Sequence, residues 1–234
     1  MEFFFTTLWD SLRMIFAADA GVLSAVATSL RVTLCATVLC TAFGVPLAYL
    51  IWVRRFPGRE ALLTVANALL GVPTVAVGLF VYMAICRRGP LGGLDLLFSS
   101  PAMVLGQTVL GLPIVVSLGV AALEGIDPRA RATALTLGAG RWRTALTLLR
   151  EGRFAVAAAT IVAFGRLIGE VGISMMLGGN IAGRTRNIST AIALETSKGE
   201  FAFGCALGII LVSVALGVNI GLRMLQGRTR EKAA

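Results

Sequence analysis

Residues 123–153 read LEGIDPRARATALTLGAGRWRTALTLLREGR. The stretch holds Arg129, Arg131, Arg141, Arg143, Arg150 and Arg153, and long apolar runs lie on either side of it. A basic connector between two apolar spans faces the cytoplasm. Pro128 suits the first turn of a helix, and Ala130, Ala132, Ala134 and Leu135 are good helix formers. Gly138 and Gly140 interrupt that helix, and Trp142 to Leu149 read as a second one. The pattern predicts a helix, a glycine bend and another helix at a membrane surface, which suits docking of a soluble partner.

Working outward, 57% of the 234 residues are hydrophobic and only 14% are charged, where soluble domains carry about 25% charge. Mean hydropathy is +0.86. One soluble core of this size does not hide several apolar runs of about twenty residues, so the class is an all-α polytopic membrane protein. The runs are continuous rather than alternating, which argues against a transmembrane barrel. The net charge of +9 groups in loops between spans, as membrane topology requires, and gives no reason to expect nucleic-acid binding. The chain has no histidine, and Cys35, Cys40, Cys86 and Cys205 lie in or beside apolar runs without a CxxC pair. Zinc, haem and iron–sulfur enzymes are thereby disfavoured, and no metal site is expected. No GxxxxGK[ST] sequence is present for binding ATP.

About five spans are expected, near residues 22–53, 61–85, 102–123, 154–176 and 201–222. Residues 1–20, rich in Phe and Trp but broken by Asp10, Arg13 and Asp19, fit an amphipathic interfacial helix. One membrane domain then covers 21–224, with the docking loop at 124–153 and a tail at 225–234. Arg31, in the outer third of the first span, can snorkel or face a polar interior. Gly44 with Pro46 predicts a kink in the first span. Asn67, Gly71, Pro73 and Gly78 interrupt the second, and Gln107, Gly111, Pro113 and Ser117 interrupt the third. Residues Ile188 to Leu194 read as a short re-entrant or surface helix. Arg54, Arg55 and Arg59, the arginines of the 124–153 loop and the basic tail from Arg223 share one face. That bias puts the amino terminus outside and the carboxyl terminus in the cytoplasm.

Arg166 and Glu170 are four apart and share a helical face within or beside a span. Burying either charge alone is costly, so they are expected to pair, as a packing bridge or as a gate. Asn180, Arg184, Thr185, Arg186 and Asn187 form a basic, hydrogen-bond-rich outer stretch that either attracts an anion or is simply solvated. The GxxxG spacings Gly165/Gly169 and Gly204/Gly208 permit close helix contact.

The loop and its sequel resemble the transmembrane permease subunits of bacterial ABC importers. That family carries an EAA triplet, three residues, a glycine, nine residues, and I-x-L-P. Gly138 matches the glycine, with Ala139 and Gly140 following it. Ala132, Thr133 and Ala134 stand at the triplet, keeping its last alanine. Leu148 takes the Ile position, and Arg150 and Glu151 replace Leu-Pro. The segment AFGRLIGEVG at 163–172 resembles a companion segment of the oxyanion permeases. The stretches GVPTVAVGL (71–79), GQTVLGLPIV (106–115) and GGNIAGRTRNISTAIALETSKGEF (178–201) resemble the tungstate branch of the molybdate, sulfate and tungstate group.

The resemblance implies a type I importer permease with a cytoplasmic coupling helix, working as a homodimer in the plasma (inner) membrane. Two cytoplasmic ATPase subunits are expected on the loop, at Ala132, Thr133, Ala134, Gly138, Ala139, Gly140, Trp142 and Leu148. ATP and Mg are expected on those partners, with no cofactor on this chain, and an extracytoplasmic binding protein delivers the oxyanion. Pro73, Thr74, Gln107, Pro113, Arg166, Gly169 and Glu170 are the gate or pathway candidates. Asn180, Arg184 and Arg186 are the outer-mouth candidates. The alternatives are a molybdate or sulfate permease of the same class, a membrane enzyme acting on lipid, and a membrane scaffold that transports nothing.

Overall fold

The computed structural model describes residues 2–54 and 56–230, without the side chains of Phe4, Pro128, Arg131, Arg141 and residues 222–230. Arg55 and the end of the basic tail, which entered the charge argument above, lie outside the described residues. The elements are α1 (Glu2–Phe16), α2 (Ala20–Val53), α3 (Arg59–Leu69), α4 (Thr74–Ile85), a 3-10 turn (Gly92–Leu94), α5 (Ser100–Glu124), α6 (Pro128–Thr136), α7 (Arg141–Glu151), α8 (Arg153–Ile168), α9 (Gly172–Gly178), α10 (Ile188–Lys198) and α11 (Phe201–Arg230). No strand occurs among the described residues.

Three stretches, Ala20–Val53, Ser100–Glu124 and Phe201–Gly221, are long and apolar enough to cross a membrane unbroken. Two further apolar stretches are bent pairs, α3 with α4 at 104° and α8 with α9 at 63°, which make five crossings only if each pair is one span. The interruptions fall differently from those expected. Pro113 lies inside a continuous α5 and does not interrupt it, and α2 likewise runs on through Pro46. A single proline deletes one backbone bond of the ladder, and the turns on either side hold the helix.

The second span does break, because two local signals coincide. Leu70 and Gly71 close the end of α3 by donating to Asn67 O (3.1 Å) and Ala68 O (3.1 Å). Pro73 follows with ψ 123 and opens α4. The fourth span is not the continuous helix expected over 154–176. It stops at Ile168 and restarts at Gly172. There the Glu170 carboxylate accepts from Ile173 N at 3.2 Å, in place of a helix carbonyl.

The chain packs as two compact units. The first comprises residues 1–36, 72–110 and 164–217. Its apolar centre is Val22, Ala25, Ile188, Ala191 and Leu207. There α1 is fastened to the start of α11: Ser11 Oγ donates to Ala202 O at 2.7 Å, and Phe3 meets Phe201 edge-on at 5.8 Å. The helix leaves Phe3, Phe5, Trp9 and Phe16 exposed, as an interfacial helix would. Helix α10 buries Ile188, Ser189, Thr190, Ala191 and Glu195 and leaves Ala193 and Thr196 to Lys198 exposed.

The second unit comprises residues 37–71, 111–163 and 218–234. Its centre is Ala48, Ile51, Val116, Val120, Leu123, Ile126 and Leu148. Small residues permit close helix contact, but at only one glycine of the GxxxG pairs singled out above. A methyl at Gly204 would stand 3.3 Å from Thr196 Oγ1, whereas one at Gly165, Gly169 or Gly208 would meet nothing within 4 Å; one at Gly106 would stand 2.6 Å from Ile173. In the second unit, a methyl at Gly119 would stand 2.9 Å from Ala48.

Candidate functional site

The basic loop, expected to dock a partner, is a helical hairpin whose ends are set by local chemistry. Asp127 caps α6, its Oδ1 accepting from Arg129 N at 2.8 Å, with Pro128 in the first turn. Helix α6 ends in a left-handed residue, Gly138, at φ 76. Gly138 N donates to Leu135 O (3.0 Å) and Ala139 N to Ala134 O (3.0 Å). That pair of bonds is a Schellman ending, which satisfies carbonyls the helix would otherwise leave open. Gly140 then caps α7, and Thr144 is buried with its hydroxyl donating to Ala139 O at 3.3 Å.

The hairpin sorts the sequence-predicted residues into two faces. Leu135, Leu137 (81% exposed) and Trp142 (75% exposed) project around Gly138 at the tip. Ala132, Thr133 and Gly140 are exposed and Ala139 is half-buried. Leu148 and Ala134 are instead buried, and Leu148 lies in the core of the second unit. The motif's Ile position thus anchors the hairpin rather than presenting it to a partner.

In the first unit the breaks bring several pathway candidates together. A methyl at Gly172 would stand 2.9 Å from Val75, 3.1 Å from Thr74 Oγ1 and 3.3 Å from Glu170 Oε1. The opening of α4, just after Pro73, thus meets the opening of α9. Glu170 is buried, and its Oε2 accepts from Arg166 Nη1 at 2.9 Å while Arg166 stays 44% exposed. The expected pair therefore forms, across a helix end rather than along a helix. Gly169 is exposed at the break. Gln107 is 1% exposed, and its Oε1 finds no partner among the described residues. Pro113 belongs to the second unit and is not part of this cluster.

The outer-mouth candidates divide. Arg184 is exposed. Arg186 is drawn inward to Glu195 at 3.6 Å, and Asn180 donates to Thr190 O at 3.4 Å from a left-handed backbone (φ 50). Sequence reasoning missed the polar network behind them. Asn187 and Thr190 form a capping box, Asn187 Nδ2 donates to Ser174 Oγ at 2.9 Å, and Ser29 Oγ accepts from Ile188 N at 2.7 Å. The Asn-x-x-Thr spacing was a legible signal of the cap. The Ser29 contact, 159 residues away in sequence, had none.

Long and broken apolar stretches with a basic hairpin of apolar tip fit a polytopic membrane protein. Residues 41–231 match the binding-protein-dependent transport system inner membrane component family, and the chain belongs to that family. It is a non-catalytic ABC permease subunit and a multi-pass inner-membrane protein working with ABC partner subunits.

A probable anion ABC transporter permease of Haloferax volcanii is 39% identical over 201 residues, covering 84% of this chain and 87% of that one. The tungstate uptake permease TupB of Campylobacter jejuni is 37% identical over 219 residues, covering 94% and 92%. The molybdenum permease ModB of Escherichia coli is 33% identical over 221 residues, covering 89% and 95%. Among solved structures, the inward-facing MetNI methionine transporter aligns with TM-score 0.70 at 17% identity, over 88% of this chain and 94% of that one. A bacterial alginate importer aligns with TM-score 0.74 at 18% identity, over 94% and 83%. The fold is that of type I importer permeases.

Proposed function

We propose that two copies of this chain form the translocation path of an ATP-driven tungstate importer. Each hairpin receives one cytoplasmic ATPase subunit, which carries ATP and Mg, and an extracytoplasmic binding protein delivers the ion. The observation that carries the docking assignment is the hairpin tip, where Leu137 and Trp142 stand exposed around a left-handed Gly138. Exposed apolar side chains flanked by arginines suit a groove on a soluble partner. The hairpin then faces the cytoplasm, which puts the amino terminus outside.

The ion itself rests on the relatives, of which the Campylobacter tungstate permease matches 94% of this chain. The Escherichia coli molybdenum permease, at 33% identity, supports molybdate as the second reading. The permease makes no covalent change to the ion. Its task is a weak, traversable path with donors and some positive potential. Arg166, 44% exposed and paired one to one with the buried Glu170, offers guanidinium donors without a net charge that would hold the ion.

The test is reconstitution in liposomes with the ATPase and binding protein of the same system. ATP hydrolysis is followed as tungstate, molybdate and sulfate are titrated. Stimulation by tungstate at far lower concentration than by the others supports the assignment. Equal response to all three removes the tungstate assignment, and no association with an ATPase removes the docking one.

A further inference from the structure

Arg59 looks in the sequence like one more topology-setting charge after the first span. In the structure every nitrogen of its guanidinium is engaged. Nε donates to Ile51 O at 3.0 Å, Nη1 to Glu60 Oε1 at 2.8 Å, and Nη2 to Glu124 Oε1 at 2.7 Å. The side chain is only 20% exposed. One residue thus ties the end of α2, the start of α3 and the last residue of α5, all within the second unit. Arginine's planar fork suits such a three-way clasp, and lysine's single ammonium does not.

A second tie lies further along the same two helices. Ser117 of α5 donates to Asn67 Oδ1 of α3. Arg59 and Asn67 are eight residues apart, roughly 12 Å along a helix, and Glu124 and Ser117 are seven apart, roughly 10.5 Å. The spans match and run in opposite directions, so α3 is fastened antiparallel along the last two turns of α5 at both ends. Leu63, midway along α3, packs on the cluster of Ile51, Val120, Leu123, Ile126 and Leu148. Leu148 belongs to α7 of the hairpin, and Ile126 lies two residues beyond Glu124, just before α6. The hairpin's anchor, the end of α5 and α3 therefore share one apolar cluster with polar ties at its edge. Helix α3 leads directly into the break at Leu70–Pro73.

We infer that Arg59 is a positioning residue for energy coupling. It holds α3 to the root of the hairpin, so that displacement of the hairpin by the ATPase is delivered to the second span rather than lost in the short connector between α5 and α6. The inference rests on the hairpin being the ATPase dock. It adds that α3 moves with the hairpin and that the Arg59–Glu124 tie enforces this.

The experiment compares uptake of tungstate, or of molybdate under the second reading, with ATP hydrolysed in the same liposomes. The permeases are wild type, Arg59→Gln, Glu124→Gln, the double variant and Arg59→Lys. Wild-type uptake and ATPase association test the functional reading, and the ratio of ATP hydrolysed to ion taken up tests this one. The expected result is a rise in that ratio of about threefold or more in each glutamine variant. The double variant rises no further than the worse single one, because both remove one interaction. Arg59→Lys, which keeps charge but not the fork, falls between. Glu124 is half-exposed at a helix end, so Glu124→Gln keeps the test open if Arg59→Gln does not assemble. An unchanged ratio, a proportionate fall of both activities, or independent effects in the double variant would overturn the inference.

Discussion

Replacing Gly138 separates backbone conformation from side-chain contact at the proposed dock. Its φ is 76, and a methyl built there meets nothing within 4 Å in this chain. The cost of a substitution within the permease is therefore conformational. A left-handed backbone costs an L-residue roughly 1–2 kcal/mol, least for asparagine and most for a β-branched residue. The turn escapes the strain only by giving up the bonds from Gly138 N and Ala139 N, which together cost about as much. At about 1.4 kcal/mol per tenfold, Gly138→Ala is expected to weaken ATPase binding up to about fivefold. Gly138→Val reaches about thirtyfold on the same scale, and Gly138→Asn stays within about twofold. Titrating the ATPase against detergent-solubilised permease reads the series, with membrane abundance as the control. The core at Leu148 is untouched, so abundance should not change. A series in which asparagine binds as poorly as valine would refute the conformational argument and place the partner's groove against the Cβ position. Unchanged binding throughout would refute docking at the tip.

Three other expectations follow from the geometry. Glu170→Ala frees Ile173 N and removes the partner of Arg166, and should lower stability by about 1–3 kcal/mol. Glu170→Gln keeps the acceptor and should cost less, as thermal unfolding in detergent would show, and equal losses would mean that only the charge matters. Asn187→Ala deletes both the cap of α10 and the bond to Ser174, a loss of about 2 kcal/mol readable in the same assay, and a loss below measurement would make the buried network incidental. In a background with the native cysteines replaced by alanine, Leu137→Cys should react with a membrane-impermeant maleimide only from the cytoplasmic side, and Arg184→Cys only from outside. The reverse pattern would invert the topology.

Much of the docking hairpin was legible because its signals act within one helical turn. Pro128 and Gly138 each fix their own local backbone, whatever the rest of the chain does. The same holds for the broken second span, where Gly71 and Pro73 fall close together. The apolar lengths likewise marked the three unbroken candidate spans and the two bent pairs, since lipid leaves every backbone group to be satisfied within its own segment.

Where one local signal stood alone, the bundle decided. Pro46 and Pro113 remain inside continuous helices, while the fourth span breaks without any proline, at a glutamate that caps Ile173. Arg186 looked solvated and is drawn to Glu195. Leu148 looked like part of a docking face and is buried in the core of the second unit. Arg59 finds Glu124 across 65 residues, and no spacing rule connects them. The sequence by itself determined which stretches are apolar enough to cross a membrane and where the hairpin turns, because those depend on transfer from water and on local backbone sterics. Only the tertiary structure decided which charges face one another and which span gives way, because burial makes a charge seek its partner wherever packing has placed one.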